Sequence, residues 1–151
     1  MIAAIVASLA AAFLLGHGSS PVASTVPAAQ VMLAEALGTF ALVYTVLNVA
    51  TAPATSGNSF YGLAIGFTVF AQAVAVAKIS GGAFNPAVAI GVSCLGLANA
   101  ANLWMYWLSE FLGAGVAAVF FRVLNQEKPA EPSVASHDRA QEQTNQSIRA
   151  V

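Results

Sequence analysis

The chain is predicted to be an all-α integral membrane protein: a partial helix, three membrane-spanning helices and one re-entrant half-helix. Three observations carry that expectation. Hydrophobic residues make up 58% of the sequence and charged residues only 7%, against about 25% charged in ordinary soluble domains. The charges are also segregated. From position 1 to 121 the only formally charged side chains are Glu35, Lys78 and Glu110; Arg122, Glu127, Lys128, Glu131, Asp138, Arg139, Glu142 and Arg149 follow. Finally, an Asn-Pro-Ala run at 85–87 interrupts the apolar sequence between two segments long enough to cross lipid.

Crossing a hydrocarbon layer of about 30 Å takes roughly 20 apolar residues. Residues 1–15 are apolar but fall short of that length, and they contain no Lys or Arg. A secretory signal needs a positive start, so two readings stand: a cleaved signal, or the end of a transmembrane helix. Residues 16–30, with Pro21 and Pro27 among Ser, Thr and Ala, read as a surface loop. The first full span is expected at about 31–50. A short loop with Pro53 and Gly57 follows, then a second span at about 61–79. Residues 80–96 are apolar but Gly-rich, broken at Pro86 and too short to cross, so they read as a re-entrant loop and half-helix. The third span covers about 101–124, with Trp104, Tyr106 and Trp107 placed as an interfacial aromatic belt. Residues 125–151 are polar, contain Pro129 and Pro132, and are expected to form a disordered tail. Arg122 and Lys128 lie on the tail side and Lys78 on the other, which predicts a cytoplasmic tail.

The Asn-Pro-Ala run carries the functional expectation. Asn is a strong N-cap, and Pro at the first helical position gives up a hydrogen bond that is unmade there anyway. A helix that begins at membrane depth aims its free amide donors and partial positive end at whatever lies in front of it. Such backbone is tolerated only where protein covers it or where it lines a cavity. The expectation is therefore a solute path past Asn85, whose side-chain amide can donate to a passing oxygen while its carbonyl oxygen caps the helix. The plain alternative is an Asn that caps and touches nothing else. Glu35 stands out too, because an acid inside a membrane helix is costly and faces protein or water.

Other chemistry is poorly served. No acid–base pair, nucleophile with a neighbouring His, or phosphate-cradling glycine loop is present. The sequence offers no basic patch for nucleic acid, no cluster of residues for a metal and no motif for a cofactor. The single cysteine, Cys94, is expected to pack as a small hydrophobe. Gly62 with Gly66, and Gly113 and Gly115 with Ala117 and Ala118, give small faces expected to pack helix on helix. Gln72, Ser93 and Asn102 are expected in interhelical hydrogen bonds; His17 and His137 fall in a loop and the tail.

Several runs together resemble the aquaporin, or major intrinsic protein, family. Ala-Glu-Ala-Leu-Gly-Thr-Phe at 34–40 resembles a family helix start, and Gly-Leu-Ala-Ile-Gly-Phe at 62–67 its next helix. Ser-Gly-Gly-Ala-Phe-Asn-Pro-Ala-Val at 80–88 is similar to the family's Asn-Pro-Ala loop, and residues 106–118 to its last helix. The resemblance implies the second of two inverted repeats at 16–124, with residues 1–15 as the end of the third helix. Two departures accompany it: Asn-Pro-Ala-Val is more typical of the first repeat, and Glu110 stands where the last helix usually has Pro.

The resemblance also implies roles. Asn85 would orient water, Pro86 and Ala87 would shape the turn, and Glu35 would accept hydrogen bonds from the loop's backbone. The family's filter positions fall on Ala73, Gly82 and Val88, the last in place of a usual Arg. All three are small and apolar, which implies a wide constriction passing water and small neutral solutes such as glycerol or urea. The implied setting is the lipid bilayer, in a homo-oligomer (a tetramer in the family) or beside a complementary half-channel. A non-conducting interaction protein, or a small proton-coupled exporter using Glu35, are the alternatives.

Overall fold

Pro27 decides where the first long helix starts. Its φ of −55° suits a helix entry. Its carbonyl accepts from the Gln30 and Val31 amides at 2.9 and 3.3 Å. The helix therefore runs Ala28–Ala50, beginning before the apolar stretch that hydropathy places at 31. A computed structural model of the chain describes residues 2–15 and 26–125. The expected loop with His17 and Pro21, and the polar tail with His137, lie outside the described residues.

The described elements are helical throughout: α1 (Ile2–Leu15), α2 (Ala28–Ala50), α3 (Tyr61–Ser80), α4 (Pro86–Cys94) and α5 (Leu103–Leu124). Short 3-10 turns at Pro53–Thr55 and Ala100–Asn102 precede α3 and α5. Three helices are long and apolar enough to cross a membrane, and α4, at nine residues, is not. The α2–α3 connection is tied to the end of α2. Asn58 Nδ2 donates to the Val49 and Thr55 carbonyls, both at 2.6 Å, and Thr55 Oγ1 donates to the Asn48 carbonyl at 2.6 Å. Asn99 caps the turn before α5 through the Ala101 amide at 2.9 Å.

Helix α2 is the centre of the arrangement, packed along α5 on one side and against α3 on the other. Its approach to α5 depends on Gly113, where a Cβ would collide with the Ala36 backbone carbonyl. Further along, Phe40, Tyr44 and Phe120 form an aromatic cluster, with Phe40 and Tyr44 stacked at 5.8 Å. Helix α4 packs on α5 and α1. Ser8 Oγ on α1 donates to the Gly91 carbonyl at 2.9 Å, close enough that a Cβ on Gly91 would meet it at 2.9 Å. The buried core (Val31, Ala83, Ala89, Ala98 and Tyr106) gathers where the first turns of α2 and α5 meet the loop before α4.

The outer surface is apolar. Leu33, Leu63, Phe67, Phe111 and Val119 are all more than half exposed, and α3 buries only Ser80. An apolar face this broad suits lipid or further helices rather than water. The small face at Gly62 and Gly66 belongs to it: a Cβ at either position meets nothing within 4 Å, so no helix described here fills that notch. Cys94 is likewise exposed rather than packed. A nine-residue helix offers one inner face, and Ala89 and Gly91 occupy it.

Gly113→Val is expected to lower stability by about 1–3 kcal/mol through overpacking, whereas Gly115→Ala, which has open space around it, does not lower stability. Thermal unfolding of the two variants in the same detergent tests the difference.

Candidate functional site

Helix α3 ends at Ser80, and Gly81 follows with φ +90°, a left-handed cap whose amide donates to the Ala77 carbonyl at 2.9 Å. The chain then turns twice more. Gly82 has φ +70° and Phe84 has φ +52°, the one non-glycine residue with positive φ among the described residues. Strain of that kind persists only where the surroundings enforce it. Here α2 does so with residues on one face. Glu35 Oε1 accepts the Ala83 amide at 3.0 Å and Oε2 accepts the Phe84 amide at 2.7 Å. One turn on, Gly38 leaves room for the Phe84 ring, which a Cβ there would strike. Glu35 is fully buried and Phe84 nearly so.

Helix α5 closes the turn from the other side. Tyr106 Oη donates to the Ser80 carbonyl at 2.5 Å, and Trp107 Nε1 donates to the Pro86 carbonyl at 3.3 Å. This corrects the expectation of an aromatic belt. Trp104 is 59% exposed as a belt residue should be, but Tyr106 is buried and Trp107 half-buried. Tyr106 satisfies a carbonyl left over at the end of α3, and Trp107 reaches a carbonyl in the first turn of α4. Sequence reasoning missed Ser80, Gly38, Phe84 and Tyr106; the cue lay in a Tyr-Trp pair sitting a few residues inside the helix start.

Asn85 then caps α4. Its backbone is extended, its Oδ1 accepts from the Ala87 amide at 2.9 Å, and its carbonyl accepts from the Ala89 amide at 2.9 Å. Asn85 is exposed, and among the described residues its Nδ2 donates to no protein acceptor. Pro86 occupies the first helical position, and Pro86 and Ala87 are half-buried. The result is a half-helix whose N-terminus presents a free amide donor on an open side while its other side is braced.

The three positions expected to form a filter divide. Ala73 and Gly82 adjoin, since a Cβ on Gly82 would lie 3.6 Å from Ala73 Cα. Val88 is 43% exposed and faces a groove of about 270 Å³ between α1 and α4, lined also by Ala4, Ser8, Gly91 and Leu95. Gln72 and Ser93, expected in interhelical hydrogen bonds, each keep a buried oxygen without a partner among the described residues. No group of His, Cys, Asp or Glu among the described residues is arranged to hold a metal ion.

Comparison with known proteins bears on the whole arrangement. The family model described as "Major intrinsic protein" matches residues 1–121. The chain belongs to that family. "Probable aquaporin TIP3-2" of Oryza sativa is 36% identical over 104 residues, covering 69% of this chain and 39% of the relative. "Aquaporin Z" of Brucella melitensis is 42% identical over 100 residues, covering 63% and 44% respectively. "Aquaporin PIP1-3" of Arabidopsis thaliana is 32% identical over 121 residues, covering 76% and 42%. The chain thus spans about two fifths of the length of the curated relatives it matches. As a member of the major intrinsic protein family with three apolar spans, it is an integral membrane protein.

Glu35→Gln replaces one of two acceptors with a donor that faces a backbone amide. It is expected to cost about 1–3 kcal/mol through an unsatisfied buried group, read as a lower unfolding temperature and a smaller folded yield from membranes.

Proposed function

We propose that this chain forms one repeat of a passive transmembrane channel that conducts water and small neutral solutes past Asn85. The observation that carries the reading is the braced half-helix. Its capped N-terminus exposes the Asn85 side-chain amide, while Glu35 and Tyr106 satisfy the backbone behind it. A donor held at a helix N-terminus orients a passing oxygen, and the dipole behind it repels cations. The relatives' printed names, all aquaporins, support the same class of activity.

In this reading residues 1–15 end the family's third helix, residues 16–124 make up its second repeat, and residues from 125 form a cytoplasmic tail. Contact between α1 and α4 through Ser8 and Gly91 supports that order, because it places the first helix against the half-helix. Arg122 in the last turn of α5 and Lys78 in the last turn of α3 support the tail orientation only through the balance with Lys128. Ala73, Gly82 and Val88 form the chain's share of the constriction. Being small and uncharged, they admit glycerol or urea beside water and remove the usual fixed positive charge. Three spans and one half-helix supply one wall. The opposite wall comes from a second copy, a complementary half or further sequence, and the assembled channels form a homo-oligomer.

The test is swelling of liposomes that carry the protein, under gradients of glycerol and urea and with water flux measured in parallel. The reading expects flux of water and of both solutes, and expects Val88→Arg to cut glycerol and urea flux at least several-fold more than water flux. Flux that is abolished by collapsing a proton gradient, and restored by imposing one, would support an exporter built on Glu35 instead. No flux from a folded, reconstituted sample would support a non-conducting interaction protein.

A further inference from the structure

The backbone amides through the turn can be followed one at a time. Gly81 donates to the Ala77 carbonyl, Gly82 to Ser80 Oγ at 3.2 Å, and Ala83 and Phe84 to the two oxygens of Glu35. The next amide is that of Asn85, and among the described residues it completes no hydrogen bond. Pro86, which follows, has no amide hydrogen to place.

Across from it lies the complementary vacancy. Glu110 of α5 is 1% exposed, and among the described residues neither of its carboxyl oxygens has a hydrogen-bond partner. Tyr106 and Trp107, four and three residues before it on α5, reach the Ser80 and Pro86 carbonyls, so Glu110 sits on the helix face that meets the turn at Asn85. Glu35 already holds two amides and Tyr106 donates to Ser80. A buried carboxyl left unpaired is costly, and the donor that stands against it is the one the turn has left over.

We propose that Glu110 is a second positioning residue of the turn, accepting the Asn85 backbone amide as Glu35 accepts the two amides before it. Two helices then hold three consecutive amides, α2 taking Ala83 and Phe84 and α5 taking Asn85. The consequence is that the residue whose side chain meets solute is fixed at its own backbone, not only through its neighbours. An amide oxygen serves this purpose as well as a carboxyl oxygen does, so Gln is expected to replace Glu110, whereas the two-acceptor role of Glu35 excludes Gln. What the positioning is for rests on the channel reading, but its geometry does not.

The experiment is amide hydrogen exchange at single residues, by NMR on the full chain in lipid nanodiscs. In the unaltered protein the Asn85 amide is expected to exchange as slowly as those of Ala83 and Phe84. Glu110→Met, which fills the same space without an acceptor, is expected to speed Asn85 about tenfold or more and to leave Ala83 and Phe84 within about twofold. Glu110→Gln is expected to keep Asn85 protected. An unprotected Asn85 amide in the unaltered protein would overturn the proposal even if Glu110→Met did not fold. So would unchanged protection of Asn85 in Glu110→Met, equal acceleration of all three amides, or loss of protection in Glu110→Gln. None of these outcomes depends on transport, so a chain that conducts nothing would sink the channel reading and leave this one intact.

Discussion

A membrane-embedded chain that leaves helical geometry must find a partner for every backbone group it frees, because lipid supplies none. In this protein that demand falls on the stretch between α3 and α4, and the bidentate grip of Glu35 on the Ala83 and Phe84 amides meets the largest part of it. Much else in the fold is arranged around that grip. Gly38 accommodates the Phe84 ring, Tyr106 and Trp107 take up carbonyls at Ser80 and Pro86, and the core sits directly beneath. Breaking the chain there is what gives α4 an N-terminus of its own. Without the break, residues 61–94 would be one long helix with no free donors at its middle.

The same bracing explains how a left-handed Phe84 survives. A bulky residue in that region is disfavoured by its own Cβ. Phe84 is held at both ends, its amide by Glu35 and its ring by the notch at Gly38. Both contacts come from one face of α2, so the helix that supplies the acid also supplies the space. The close seat of Gly113 on Ala36 then locks α2 to α5, the helix that carries Tyr106 and Trp107. Positioning of Asn85 is therefore a property of the α2–α5 pair as much as of the loop.

Much of this was legible in the sequence. The three spans, the short α4, the capping Asn and the Pro that follows it are local signals, set by hydropathy and by helix-terminus chemistry. The expectation that Glu35 serves the loop came from family resemblance, since nothing in its neighbours names a partner 48 residues away. The inward turn of Tyr106 and Trp107 was not legible. Interfacial aromatics and buried aromatics share composition, and only the third dimension says which carbonyl a phenol can reach. That no described helix fills the notch at Gly62 and Gly66, and that Cys94 is exposed, was not legible for a related reason. Small residues mark a capacity for close packing, but they do not name the helix that will use it.

All of this requires that the chain turn back on itself inside the lipid, with Asn85 at the deepest point. Site-directed spin labels placed singly from 79 to 97 in reconstituted bilayers would measure this by their relative accessibility to oxygen and to a polar relaxation agent. The expected depth profile peaks near position 85 and falls towards the same membrane face on both sides. A profile that runs steadily from one face to the other, or one that places position 85 at the headgroups, would contradict it.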